Sequence, residues 1–318
     1  MTHTGTEKKM RIAVGPKNPE FGSWNWVGES FLKALNDRFF ATSFEHHADI
    51  ETTDTVIFVK FKPTLTELQS LKQRARLVYC PIDIYADARE IDDDRASLQC
   101  FDRVLLHSER LLRYFTACCP VGYIDHPIKY VLKEPRTFES MGPLLWVGRQ
   151  CNLQPVVQWT NRQKLNRELW ILTNRGERRL DTQSLGFENR NTVKVSEWSE
   201  RRHLECLKVA TAAIDIKGDD FRARHKPPAK MLDFLASGLP VIANRSSPSY
   251  WLGKTQGLSV IDADNWQLQL VEVDRARTFR QARQLQQVLS EENCANQIIR
   301  VVTDLLSPVS PEPVEVAS

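Results

Sequence analysis

Short apolar runs alternate with amphipathic stretches along this chain, the pattern of an α/β fold with parallel strands. In the first half, RIAVG from Arg11, TVIFVKF ending near Lys60, ARLVYCPID ending at Asp83, RVLLHS and VGYIDHPI read as strands. Between them, WVGESFLKALNDRF, TLTELQSLKQR, RASLQCF and ERLLRYFTACC read as helices, the first with Val27, Phe31, Leu32 and Leu35 on one side. The second half repeats the rhythm. PLLWVG, LWILTNR, NTVKVSEW, AAIDIKG and PVIAN are expected strands, and PVVQWTNRQKL and ERRHLECLKVA are expected helices, the latter capped by Ser199. DRARTFRQARQLQQVLS and EENCANQIIRVVTDLL read as two closing helices. Two Rossmann-like domains facing each other would form a cleft at the carboxyl ends of their strands.

The polar stretch KEPRTFESMG separates the two series. It sets the expected division: a first domain over 1–135, a second over 142–289, a helix over 290–306 returning to the first domain, and a disordered Pro/Ser-rich tail over 307–318. The composition, 42% hydrophobic and 26% charged over 318 residues, is that of an ordinary globular protein. A formal charge of +3 excludes a polycationic chain but permits a local basic groove. No run approaches a membrane span, and MTHTGTEKKMRIAV lacks the apolar core of a signal peptide, so a cytoplasmic protein is expected. Seven scattered cysteines fit reduced thiols.

The richest stretch is RHKPPAKMLDFLASGLPVIANR, from Arg224. Pro227 and Pro228 suit the first turn of a helix, and Gly238 suits its left-handed end. A helix start carries free N–H groups and partial positive charge. Lys226 and Lys230 add two ammonium groups four residues apart, and Asp233 follows near the same side. This suits a phosphate at the helix start with a ribose hydrogen-bonded to Asp233. The alternative is a solvated basic helix start in which Lys230 pairs with Asp233.

KPPAKMLDFLASGLPVIAN resembles the nucleotide-sugar motif of GT-B glycosyltransferases, particularly the group 1 (GT4-like) family. LLWVGRQ, VKVSEWSERRHLECLKVATAAIDI and GSWNWVGESFLKAL resemble further stretches of that family, in order, and the closing helices resemble its C-terminal helices. The resemblance implies a GT-B fold with the last helix crossing back. It implies transfer of a sugar from a nucleotide diphosphate sugar, UDP- or GDP-linked, to a saccharide, lipid-linked or other hydroxyl acceptor. It further implies a metal-independent, retaining reaction with no cofactor. Arg149, Lys226 and Lys230 would bind the diphosphate, with Gly22 and Ser23 facing it. Asp233 would bind the ribose, Glu197 and Trp198 would lie at the base, and His225 would lie beside the donor sugar. His225 stands where the family commonly has a glutamate, and RQCNLQP lacks the lysine that often follows the loop arginine.

From the residues themselves, Asp83 at a strand end is a candidate base; the resemblance further implies that Arg149 and Lys230 stabilise the leaving group. Trp24, Asn25 and Trp26 could line the acceptor side or anchor the loop. The acidic run Asp92–Asp94 reads as a solvated turn rather than a metal site, and GDD at Gly218 as loop-shaping. Peripheral membrane contact stays open. Two other readings stand beside transfer: a degenerate GT-B protein that binds a sugar nucleotide as sensor or scaffold, and a nucleic-acid binder using a basic cleft. The modest charge and the lack of interleaved basic and aromatic residues count against nucleic acid.

Overall fold

The computed structural model describes residues 9–50 and 52–306. The tail expected over 307–318 therefore lies outside the described residues. Two parallel six-stranded sheets form the frame, one in each half of the chain. The first has the order β2-β1-β3-β4-β5-β6, with β1 Arg11–Gly15, β2 Phe40–Ser43, β3 Thr55–Val59, β4 Arg76–Cys80, β5 Arg103–Leu106 and β6 Val121–Tyr123. The second has the order β12-β11-β10-β7-β8-β9, with β7 Leu144–Gly148, β8 Leu169–Thr173, β9 Val193–Glu197, β10 Ala212–Ile214, β11 Val241–Ala243 and β12 Val260–Asp262.

Helices cover both faces of each sheet, so strand residues are buried whichever way they point. In β1, Ile12 and Val14 pack with Phe31 and Leu35 of the helix Glu29–Asn36, while Ala13 packs on the other face with Phe44 and Phe58. In β7, Leu145 and Val147 pack with Met231 and Leu235, while Leu144 and Trp146 pack with Val156 and Trp159. The last helix, Glu291–Leu306, buries Ile298, Ile299 and Val302 in the core of the first sheet. The return of the chain to its first domain is thus an apolar contact. Among the described residues no helix is long and apolar enough to cross a membrane.

The connection between the sheets packs on the second one. Leu132 and Phe138 join its core, and Arg136 donates to the Leu207 and Ala210 carbonyls. The edge strands β2 and β12 and the helices Ala88–Asp93, Phe221–His225, Pro248–Thr255 and Trp266–Val271 add to the expected elements. Asp92 and Asp93 accordingly lie on a helix and not in a turn, Asp92 paired with Arg95, while Asp94 holds Lys62 and the Tyr85 hydroxyl.

Candidate functional site

The site is assembled where β7 and β10 end. Gly148 closes β7, and a Cβ there would come within 2.7 Å of both the Lys230 Nζ and the Trp146 ring. The missing side chain is the space the ammonium uses. Lys230 Nζ lies 5.5 Å from the Trp146 ring centroid, half-buried, with no hydrogen-bond acceptor among the described residues. Burial and the neighbouring Lys217 and Lys226 lower its pKa to about 8, with Asp215 opposing. Lys217 Nζ reaches Asp215 at 2.6 Å, and Asp215, only 3% exposed, also accepts the Ser249 hydroxyl. Burial disfavours the Asp215 carboxylate, but Lys217 and Ser249 outweigh it and hold the group below its ordinary pKa. Asp215 therefore balances Lys217, and Lys230 is left as a poorly solvated cation. Arg149, exposed in the turn after Gly148, lines an adjoining cavity of about 340 Å³ with Gln150, Cys151, Asn174 and Arg178.

The helix Ala229–Ala236 begins one residue later than Pro227-Pro228 suggested. Pro228 is its N-cap, so Lys226 precedes the helix instead of sharing a face with Lys230. The helix ends as expected. Gly238 has φ +89°, its N–H donates to Leu235 O at 2.9 Å, and Leu239 N–H donates to Phe234 O at 3.0 Å. These two bonds make a Schellman cap.

The first sheet supplies the facing wall. Lys60, just after β3, has φ +68°, and Asp83, after β4, has φ +53°. A left-handed non-glycine residue costs about 1–2 kcal/mol. Two such residues at adjacent strand ends mark this wall as a place where the fold accepts strain to aim side chains. Asp83 Oδ2 lies 3.5 Å from Lys226 Nζ, an ion pair across the cleft, and Lys226 also reaches Asn152 Oδ1 at 3.4 Å. Lys60 Nζ donates to Ile82 O at 3.2 Å between the rings of Phe21 and Phe61, and burial lowers its pKa. Arg222 adds a second bridge, donating to Ile84 O at 3.1 Å.

Several expected site residues lie elsewhere. Asp233 is 2% exposed, and its oxygens accept the backbone N–H groups of Lys129 at 2.9 Å and Tyr130 at 3.3 Å. Its carboxylate thus clamps the interdomain connection and faces no open space for a ribose. Trp24 is 2% exposed and packs over Gly28 inside the first core, so it lines no acceptor surface. Trp26 and Asn25 are half-buried, the ring edge-on to His126 and Tyr130, the Asn25 carbonyl accepting Lys129 Nζ at 2.9 Å. Trp198, half-buried, packs edge-on to Tyr130 at 5.4 Å against the second core. Glu197 ends β9 and pairs with Arg175 at 3.0 Å. His225 is 7% exposed, packed against Phe221 and Tyr114, with Nδ1 on Phe221 O at 2.7 Å. Gly22 is exposed, with Trp26 Cδ1 4.0 Å from where a Cβ would stand, and Ser23 stands at the start of the helical turn Trp24–Gly28 without capping it. In the GDD run, Asp220 caps the helix Phe221–His225 and Asp219 accepts the Ser246 hydroxyl.

Lys60 and Lys217 escaped the sequence reading. Lys217 had a signal, since Asp215 and Lys217 are two apart at a strand end and share a side. Lys60 had none, because its conformation comes from tertiary packing. Among the described residues no group of His, Cys, Asp and Glu could hold a metal ion.

No family model matches this chain, and no curated protein matches it in sequence. Solved structures do match in fold. A sucrose-phosphate synthase from Thermosynechococcus elongatus superposes with a TM-score of 0.65 at 13% identity, covering 94% of this chain and 99% of that one. OtsA without ligand gives 0.59 at 8% identity, covering 95% and 100%. AviGT4, a glycosyltransferase of avilamycin A biosynthesis, gives 0.54 at 13% identity, covering 93% and 98%. Two parallel sheets facing a cleft, a returning last helix and these neighbours make the chain's architecture that of the GT-B glycosyltransferases.

Proposed function

We propose that this chain transfers a sugar from a nucleotide diphosphate sugar to an acceptor hydroxyl. The observation that carries the reading is Lys230: a half-buried ammonium without an acceptor, seated over Gly148 and joined by Lys217, Lys226 and Arg149 at the cleft. A fold holds an unpaired cation in such a place at a cost in solvation, and a polyanion would offset that cost. In transfer, the bond between the anomeric carbon and the diphosphate oxygen breaks, and its electron pair leaves with the diphosphate. Lys230, Arg149 and Lys226 stabilise that growing charge in place, the service a divalent cation performs elsewhere. The acceptor oxygen forms the new bond. Its proton goes to the departing phosphate if configuration is retained, as the family resemblance implies, or to Asp83 if it inverts. Donor binding draws Lys226 from Asp83 and frees that carboxylate on the acceptor wall. Saccharide or lipid-linked alcohols are the acceptor classes.

A second reading, binding without transfer, is favoured by one observation: His225 is packed away where a donor-sugar ligand was expected. Calorimetric titration of the full chain with UDP, GDP, ADP and TDP, wild type against Lys230→Met, tests the donor site. Binding of one nucleotide, weakened at least about 10-fold by the substitution, is expected. Binding by none of them, in a folded sample, overturns the donor-site reading. Binding without release of nucleotide from the sugar donor, across an acceptor screen, supports the sensor reading.

A further inference from the structure

A second cationic cluster lies on the cleft rim, outside the lysine site. It joins the helix Glu109–Phe115, which follows β5, to the helix Phe221–His225, which follows β10. Tyr114 is the pivot, its ring 5.3 Å from Phe221 and 5.3 Å from His225. Arg113 stacks on that ring at 4.8 Å and donates to the Tyr114 hydroxyl at 2.7 Å. Arg110, half-buried, crosses the cleft to donate to Ser246 O at 3.3 Å. Arg224 is exposed on the turn that carries His225. Among the described residues none of these three guanidiniums has a carboxylate within ion-pairing distance. Burial and the neighbouring charges of Arg113 and Arg224 lower the pKa of Arg110.

His225 belongs to the same cluster. It is 7% exposed, Nδ1 bonds Phe221 O, and Nε2 is enclosed without a partner. The charges that bear on its ring are Arg110, Arg113 and Arg224, which add to burial in lowering its pKa. Folded proteins satisfy buried polar atoms and disperse like charges. This cluster leaves one enclosed ring nitrogen without a partner and gathers three cations from two facing domains, which gives it the charge and the donors to receive an anion. Its forked donors match the oxygens of a phosphate.

We propose that Arg110, Arg113 and Arg224, with His225 behind them, form a phosphomonoester site that holds the phosphate of a phosphorylated acceptor between the two domains. The acceptor role rests on the transfer reading above; the phosphate site does not. Its place fits an acceptor. Arg222 and Lys226, on either side of Arg224, touch Ile84 O and Asp83 on the first-domain wall. Because His225 Nδ1 donates to a carbonyl, a neutral ring carries its lone pair at Nε2. A bound dianion would draw a proton onto that nitrogen, so binding is accompanied by proton uptake.

The test is calorimetric titration of the full chain with glucose 6-phosphate, inorganic phosphate and glucose at pH 7.5, each in two buffers of different ionisation enthalpy. Heat from both phosphates, none from glucose, and net proton uptake are expected. Arg113→Gln and Arg224→Gln, both at exposed positions, should each weaken phosphate binding about 10-fold or more, while Arg283→Gln, at an exposed position of the helix Arg275–Val288 remote from both clusters in sequence, leaves it unchanged. Tighter binding of glucose 6-phosphate than of inorganic phosphate assigns the site to a sugar phosphate, and the reverse order overturns the acceptor assignment. Absence of phosphate binding, or binding lost with Lys230→Met and kept in the Arg113 and Arg224 variants, overturns the site itself. Neither failure touches nucleotide binding at Lys230, so the two readings fall separately.

Discussion

At Asp233 a single side chain decides between a ligand contact and a structural one. The motif around it leads sequence reasoning to a ribose, yet its short carboxylate is held by the amides of Lys129 and Tyr130. An acid five residues before the helix-ending glycine is legible in the sequence; the direction of its oxygens is set by a connection more than a hundred residues earlier. Asp233→Ala would leave two enclosed N–H groups without an acceptor, each costing about 1–3 kcal/mol. Urea unfolding at pH 8 should therefore show a loss of about 2–6 kcal/mol. A loss below 0.5 kcal/mol, the size of a surface change, would show that the linker amides find water instead. Burial raises the pKa of this acid to about 7 while the two N–H groups favour its charged form, so it titrates close to neutrality.

At the scale of elements, strands with two buried faces were the easiest to read. TVIFV is apolar after its first residue, Thr55, and every residue of β3 is buried. The edge strand FATS has the burial of only one residue to declare it, and VID spans three residues, so neither carries a period long enough to recognise. The five-residue helix FRARH, which builds much of the cleft rim, is basic and short; its only sequence signal is the N-capping Asp220. The lysine helix shows the opposite case, with local chemistry fixing its end. Gly238 combines φ +89° with a backbone contact: a Cβ would stand 2.0 Å from Arg136 O. Gly238→Ala thus meets both a left-handed penalty and a clash with the interdomain connection. The expected loss exceeds about 2 kcal/mol in urea unfolding. A variant as stable as the wild type would mean that the cap is not formed in solution.

Across the whole molecule, burial of neutral histidines gives stability a pH dependence whose sign follows from the fold. His107 and His126 stack at 4.1 Å under the first sheet's cleft edge, and His203 packs between Tyr130 and Phe234. Burial lowers His107 and His203 to about 4 and His126 well below its ordinary value of 6.5. Between pH 6.5 and about 4 the unfolded chain binds protons at these residues that the native chain refuses, so stability is full above pH 6.5 and falls on acidification. Each contributes a slope of about 1.4 kcal/mol per pH unit. Asp233 acts in the opposite direction, because its raised pKa makes the native state the better proton binder between pH 4 and 7, and it offsets one histidine. These four groups together give a loss of about 3 kcal/mol per pH unit below pH 6, and His47 and His225, also lowered by burial, add to it in the same direction. His203 isolates the effect, since both its ring nitrogens are enclosed without partners and its replacement breaks no hydrogen bond. His203→Leu should leave stability at pH 8 unchanged or slightly higher and reduce the slope between pH 6 and 5 by about 1.4 kcal/mol per unit. Denaturant unfolding at those three pH values decides it: an unchanged slope would mean that His203 takes up its proton in the native state, and that the packing between Tyr130 and Phe234 opens to admit water.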